Sequence, residues 1–106
     1  MDVYFLPESP LDRLETDSSF SAGFPPETVD MYRCRLQQLR ASLNEHDVQR
    51  MRSLDLRPLP GKGAGFYSIF LLRDWRLSIH LLGSKPRREV AILEITQVTR
   101  PARRAT

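Results

Sequence analysis

The spacing of hydrophobic residues in this chain changes near Leu54, and that change limits the folds available to it. Upstream, apolar side chains recur every three or four residues, as on one face of an α-helix, at Val29, Tyr32, Leu36, Leu39 and Leu43. Downstream, apolar and polar residues alternate with the period of two that is typical of β-strands. Helices followed by strands predict an α+β fold.

The first half of the chain is expected to hold one short strand and two helices. Residues 2–6 suit an edge strand, and Pro7 to Thr16 suit a short helix. The Pro25-Pro26-Glu27 step favours a helix start, because proline lacks only an N–H that the first turn leaves unbonded anyway. The second helix should therefore run from Pro25 to about Leu43. Residues 44–52 are polar and fit either a helical extension or a loop.

The second half is expected to form strands in an antiparallel arrangement. A short strand is predicted from Leu54 to Leu59, followed by a glycine-rich loop around Lys62. Phe66 to Leu72 and Trp75 to Leu82 should pair as a hairpin across the Arg73-Asp74 turn, and a last strand should run from Glu89 to about Val98.

Side-chain alternation indicates which face of the predicted hairpin the helices cover. The heavier apolar set should lie beneath the helices, and its members are Tyr67, Ile69, Leu71, Trp75, Leu77, Ile79 and Leu81. Arg76, Ser78 and His80 then share the opposite, uncovered face. These three side chains would suit an anion site, although a solvent-facing strand is normally polar in any case.

The charge of the chain is unevenly distributed. Residues 1–30 carry seven acids and one base, whereas residues 31–106 carry fifteen bases and six acids. Fourteen of the sixteen basic residues are arginine, whose planar guanidinium binds phosphate in a bidentate manner. The basic part could therefore bind nucleic acid, or it could be an ordinary arginine-rich surface.

The length of 106 residues favours one domain, predicted at residues 1–99, with a basic tail at 100–106 that is expected to be disordered. No apolar stretch approaches a membrane span and the first ten residues lack a basic start, so no membrane partner and a cytoplasmic location are expected. Cys34 is the only cysteine, which excludes an internal disulfide and argues against a thiolate metal site.

Three segments resemble a known family of bacterial toxins. They are Leu56-Arg57-Pro58-Leu59-Pro60-Gly61, Gly65-Phe66-Tyr67-Ser68-Ile69 and Asp74-Trp75-Arg76-Leu77. Together they are similar to the signature "LHPLKG", glycine, two aromatic residues, "SI" and "NWR" of the HigB branch of the RelE/ParE superfamily. The resemblance covers nearly the whole chain except the tail.

This resemblance implies a RelE-like fold in which two N-terminal helices pack on one face of a small antiparallel sheet. It also implies the toxin of a type II toxin–antitoxin system, which enters the ribosome, cuts mRNA without metal or other cofactor, and is inhibited by a HigA-like helix-turn-helix antitoxin. Attack of the ribose 2′-OH on phosphate needs a proton acceptor, a proton donor and a cation. Arg76 matches the arginine of the signature and is the expected cation, and Lys62 lies two residues after the family's lysine position.

The sequence departs from the family at its acid and base residues. The signature histidine is Arg57 here, which stays protonated at neutral pH. The family's C-terminal Asp-Tyr-His falls on Glu94-Ile95-Thr96 or on Gln97-Val98-Thr99, and neither alignment supplies the Tyr or the His. His80 and Glu94 are therefore the remaining candidates for proton transfer.

A basic concave surface is expected to hold the RNA, with phosphate contacts from Arg57, Arg73, Lys85, Arg87 and Arg88 around the catalytic candidates. Three functions stay open. The chain could be a ribosome-dependent mRNA endonuclease, a non-cleaving relative that binds its antitoxin or the ribosome, or a gyrase inhibitor of the ParE type.

Overall fold

The computed structural model describes residues 1–98, which form a five-stranded sheet and three helices. The strands are β1 (Asp2–Phe5), β2 (Arg57–Pro58), β3 (Phe66–Leu72), β4 (Trp75–Leu82) and β5 (Glu89–Gln97). The helices are α1 (Leu11–Thr16), α2 (Pro26–Ala41) and α3 (Glu45–Arg50), and a 3₁₀ turn at Arg52–Leu54 follows α3. The fold is therefore α+β, as predicted, and the basic tail predicted at 100–106 lies outside the described residues.

The sheet is mixed, and the prediction of a purely antiparallel sheet was wrong. Its strand order is β1-β5-β4-β3-β2, and β2 to β5 pair with antiparallel neighbours. β1 runs parallel to β5, with Asp2 opposite Glu89 and Phe5 opposite Ile92. The helices separate β1 from the other strands along the chain, so no hairpin turn dictates the direction in which β1 pairs.

Helix α2 contributes the largest part of the helical core. Tyr32, Leu36 and Leu39 are fully buried in one cluster with the inner face of the sheet. The Nε of Arg35 donates a hydrogen bond of 2.8 Å to the carbonyl of Phe70 and so ties α2 to β3. None of the helices within residues 1–98 is long and apolar enough to cross a membrane.

Helix α1 packs on α2. The buried hydroxyl of Tyr32 donates to the carbonyl of Leu11 at 2.7 Å, which links the two helices. Burial raises the pKa of Tyr32 well above its ordinary value, so the hydroxyl keeps its proton. The prediction that both N-terminal helices pack on the sheet is not confirmed, because α1 packs mainly on α2, whereas α2 packs on β3.

The end of α2 differs from the prediction. The helix ends at Ala41, and Leu43, expected on its buried stripe, is 76% exposed. The backbone becomes extended at Ser42, and the N–H of Leu43 donates to the carboxylate of Asp47. The side chain of Asn44 then caps α3 by accepting from the N–H groups of His46 and Asp47, so the segment that the sequence left undecided is helical.

The strand predicted from Leu54 to Leu59 is reduced to Arg57–Pro58. Leu54 is fully buried at the end of the 3₁₀ turn, and Asp55 adopts a left-handed conformation with φ +45°. Aspartate tolerates this conformation better than most residues. The resulting bend places Asp55 beside β4.

The predicted inner face of the hairpin is confirmed for most of its members. Ile69, Leu71, Leu77, Ile79 and Leu81 are buried, whereas Tyr67 and Trp75 are only partly buried. Trp75 lies at the rim of the core, where the ring of Phe24 meets it edge-on at a centroid distance of 5.6 Å.

Candidate functional site

Arg76 lies near the start of β4, on the face of the sheet opposite the helical core. Phe70 of β3 and Thr96 of β5 lie directly opposite it. The prediction that this face is uncovered was wrong at Arg76 and at Ser78, which are 8% and 6% exposed. The guanidinium of Arg76 forms hydrogen bonds with the protein and does not extend into solvent.

The guanidinium of Arg76 is held by two residues. Its Nε donates to the hydroxyl of Ser68 at 2.8 Å, and Nη2 donates to the Ser68 carbonyl at 3.0 Å. Nη1 donates to the Asp55 carboxylate at 3.1 Å, and Nη2 also donates to the Asp55 carbonyl. Within residues 1–98, four of the five guanidinium N–H groups therefore have acceptors. Arg76 is therefore rigidly positioned, and the second N–H group of Nη1 takes no part in these four hydrogen bonds.

The carboxylate of Asp55 bridges two arginines. Its Oδ2 lies 3.1 Å from Arg76 Nη1 and 2.9 Å from Arg57 Nη2. The hydrogen bond from Arg76, together with the charge of Arg57, lowers the pKa of Asp55. Asp55 is therefore ionised at neutral pH and neutralises part of the positive charge at this place.

A surface concavity of about 320 Å³ opens beside these residues. The residues that line it come from the β2 and β3–β4 regions and from the end of β5, and they are Asp55, Arg57, Phe70, Arg73, Asp74, Arg76 and Val98. Three arginines and two aspartates give the lining a formal net charge of +1. Guanidinium groups arranged in this way suit a bound phosphate or carboxylate.

Sequence reasoning missed four residues that line this concavity, Asp55, Phe70, Asp74 and Val98. Phe70 was detectable, because Phe66 and Phe70 both fall on the polar side of the β3 alternation, where large apolar residues are unexpected. An aromatic ring beside arginines suits the stacking of a nucleic-acid base. Asp55 was not detectable, because its position depends on the bend after the 3₁₀ turn.

His80 lies farther along the same face of β4. Its ring stacks on that of Phe66, with 3.8 Å between centroids and an interplanar angle of 9°. Gly65 lies close to the His80 ring, since a Cβ at Gly65 would be 3.3 Å from it. His80 is four residues from Arg76, roughly 13 Å along the strand, and it is not among the described residues that line the concavity.

Glu94 and Lys62 also lie away from Arg76. Glu94 is exposed on β5 opposite Ser78, so it shares the face of Arg76, and Lys62 is exposed in the loop after β2. Neither residue lines the concavity that the described part of the chain forms around Arg76.

The remaining predicted RNA contacts lie at the other end of β4. Lys85 and Arg88 line a second concavity of about 390 Å³, together with Asp2 and Glu89. Arg87 instead forms an ion pair with Glu45. The nine predicted site residues are thus distributed over the sheet: Arg57, Arg73 and Arg76 line the first concavity, and Lys85 and Arg88 line the second.

The geometry around Arg76 favours anion binding more directly than proton transfer. Histidine, tyrosine and lysine are absent from the lining contributed by residues 1–98, and the carboxylate of Asp55 already accepts from two arginines. In the described part of the chain, no three His, Cys, Asp or Glu side chains are grouped as a metal site would require.

Comparison with known proteins finds similar structures but no matching sequence family. No family model matches the chain, and no curated protein matches it. The structure is similar to that of a YoeB/ParE toxin from Agrobacterium tumefaciens, with a TM-score of 0.55 and 16% sequence identity. The match covers 93% of this chain and 100% of that one. The chain therefore shares its fold with a bacterial toxin.

Proposed function

We propose that this protein is the toxin of a type II toxin–antitoxin system and that it binds mRNA in the ribosome. The observation that carries the proposal is the concavity formed by Arg57, Arg73 and Arg76 on a fold shared with a YoeB/ParE toxin. A small basic domain of this kind can enter a confined RNA-rich site, because long-range attraction to phosphate assists its association.

The three arginines are proposed to bind successive backbone phosphates. Arg57 and Arg73 are exposed and can adjust to the RNA, whereas Arg76 is fixed by Ser68 and Asp55. Phe70 offers a ring on which one base stacks. Lys85 and Arg88 would contact RNA or ribosome at the other end of β4.

The proposed regulator is a HigA-like helix-turn-helix antitoxin in the cytoplasm. Residues 31–106 carry nine more bases than acids, so an acidic antitoxin segment would bind there and compete with RNA. The charge complementarity supports a partner of this kind, and the fold shared with a toxin supports its place in a toxin–antitoxin pair.

In the proposed endonuclease, Arg76 stabilises the negative charge of the pentavalent phosphate. His80 or Glu94 would accept the proton of the 2′-OH as this oxygen attacks the phosphorus. The bond from phosphorus to the 5′-oxygen of the next nucleotide would break, and Lys62 or water would give the leaving oxygen its proton. The ribosome or the bound RNA would have to bring these groups to the phosphate, since none of the three lines the Arg76 concavity in residues 1–98.

A second candidate function is binding without cleavage. Two observations favour it: the guanidinium of Arg76 is largely engaged by the protein itself, and the ring of His80 is stacked on Phe66. Inhibition of gyrase is a third candidate, because the structural neighbour carries the name ParE as well as YoeB.

Induction in a bacterial host tests the toxin function. Growth should stop, and a helix-turn-helix protein encoded beside the toxin should relieve the arrest. Translation-coupled mRNA cleavage then separates the mechanisms, using the wild type, Arg76→Ala and His80→Ala. Cleavage lost in both variants supports the endonuclease with His80, and cleavage lost only in Arg76→Ala removes His80 from it. Arrest without cleavage supports the binding function, and arrest with gyrase inhibition overturns RNA as the target.

A further inference from the structure

Asp55 occupies the place in the Arg76 concavity where an incoming anion would bind. Its Oδ2 lies within 3.1 Å of both Arg57 and Arg76, the distances expected for a bound phosphate oxygen. The side chain of Asp55 is 43% exposed, so this carboxylate is at the mouth of the concavity and not beneath it.

We propose that the Asp55 carboxylate is an intramolecular ligand of the phosphate site, which an RNA phosphate must displace from Arg57 in order to bind. The inference deepens the proposed function and rests on its assignment of the concavity to phosphate. The protein itself supplies the competing anion, and the chemical class of the ligand is a phosphodiester.

Arg57 and Arg76, the two arginines paired with the Asp55 carboxylate, differ in exposure, and the difference indicates which of the two ion pairs breaks. The side chain of Arg57 is 66% exposed, whereas that of Arg76 is 10% exposed and also bonded to Ser68. The backbone carbonyl of Asp55 accepts from Arg76 independently of the carboxylate. Arg57 can therefore break its ion pair with Asp55 and bind RNA, while Arg76 stays bonded to Ser68 and to the Asp55 carbonyl.

A tethered carboxylate raises the selectivity of the site. It has a high effective concentration, so it outcompetes single weak anions such as free phosphate. An RNA strand presents several adjacent phosphates, and its contacts with Arg73 and Arg76 offset the cost of separating Asp55 from Arg57. Asp55 is thus expected to suppress binding of small anions more than binding of RNA.

The test uses Asp55→Asn, which removes the charge and retains an oxygen that can accept from Arg76. Asparagine adopts the left-handed conformation readily, so the bend after the 3₁₀ turn is kept. Asp30→Asn is the matched control, because Asp30 is an exposed aspartate on α2 and the change in net charge is the same. The thermal midpoint of each variant verifies that it is folded.

Two ligands are titrated into the full chain: dimethyl phosphate, observed through the Nε–H signals of Arg57 and Arg76, and a single-stranded RNA oligonucleotide over a range of salt. Asp55→Asn should bind dimethyl phosphate about tenfold more tightly, because a unit negative charge beside the site is removed. RNA binding should tighten by a smaller factor, and its salt dependence should stay the same, because Arg57 contacts a phosphate in the wild-type complex as well. Asp30→Asn should leave the binding of dimethyl phosphate unchanged.

The double variant that combines Asp55→Asn with Arg57→Ala tests whether Arg57 is the arginine that binds the phosphate when the charge of Asp55 is removed. The gain in affinity should disappear in it, and a gain that persists without Arg57 overturns the proposal. Unchanged or weaker phosphate binding by Asp55→Asn also overturns it, even if the wild type binds RNA and arrests growth. Conversely, tighter phosphate binding through Arg57 in a protein that neither arrests growth nor binds ribosomes supports the role of Asp55 and contradicts the toxin function.

Discussion

Arg87 Nη1 lies 3.0 Å from Glu45 Oε2, and the two side chains are 14% and 5% exposed. Two backbone contacts accompany this ion pair: the N–H of Glu45 donates to the Arg87 carbonyl, and the N–H of Arg87 donates to Glu45 Oε1. The start of α3 is therefore joined to the segment before β5. Arg87, predicted as an RNA contact, has its charge paired within the fold.

Replacement of Arg87 by alanine should destabilise the protein. Arg87→Ala leaves the buried carboxylate of Glu45 without its cation, which is expected to lower the free energy of unfolding by about 3 kcal/mol or more. The exposed neighbour Arg88 provides the control, since Arg88→Ala should change stability by less than about 0.5 kcal/mol. Urea denaturation measures both, and equal stability of the two variants would contradict a structural role for the ion pair.

Gly65 is expected to be intolerant of a side chain. It has φ +88°, and a Cβ there would lie 2.8 Å from the carbonyl oxygen of Leu81. Gly65→Ala should therefore cost about 3 kcal/mol, whereas Gly61→Ala, with φ +74° and open space around it, should cost about 1 kcal/mol. Thermal and urea unfolding measure both variants, and equal destabilisation by Gly65→Ala and Gly61→Ala would contradict a close contact between Gly65 and the Leu81 carbonyl.

The link between the two N-terminal helices can be tested by removing one oxygen. Tyr32→Phe removes a buried hydrogen bond to the Leu11 carbonyl and should lower the free energy of unfolding by about 1 kcal/mol. Tyr4→Phe removes the hydroxyl of an exposed tyrosine and should change stability by less than about 0.5 kcal/mol. An unchanged free energy of unfolding in Tyr32→Phe would contradict a stabilising role for this hydrogen bond.

The carboxyl of Asp17 should titrate at unusually low pH. Hydrogen bonds from the hydroxyl and the backbone N–H of Ser19 lower the pKa of Asp17 to about 2, with a smaller contribution from Arg13. Because the folded pKa lies below the ordinary value of 3.8, the stability that this group contributes is present above that value and is lost as the pH falls through about 2. Carbon-13 titration of the carboxyl measures it, and Ser19→Ala should raise the pKa.

RNA binding should depend more on the Arg76 concavity than on the other end of β4. Arg73→Ala should weaken binding of a single-stranded RNA and reduce the salt dependence by about 0.7, because one phosphate contact is lost. Lys85→Ala removes one charge at the second concavity and should have a smaller effect. A larger effect of Lys85→Ala would place the main RNA contact at that second concavity.

The amino-acid sequence by itself determined the main elements and the faces of the central strands. The bounds of β3 and β4 agree with the prediction, as does the burial of Ile69, Leu77 and Ile79. These features depend on alternation between neighbouring residues, so a local pattern is sufficient to predict them. The resemblance at Gly65 to Ile69 and at Asp74 to Leu77 pointed to a toxin fold, which the structural comparison supports.

Only the tertiary structure decided how β1 pairs and what surrounds the site residues. Asp55 contacts Arg76 and Glu45 contacts Arg87 across 21 and 42 positions of the chain. Such contacts depend on where a bend or a crossover connection places a segment in three dimensions. The spacing of neighbouring residues does not predict that placement. The same reason explains why Arg76 was expected on an open face and is instead buried, and why Arg87 was expected to bind RNA and is instead held by Glu45.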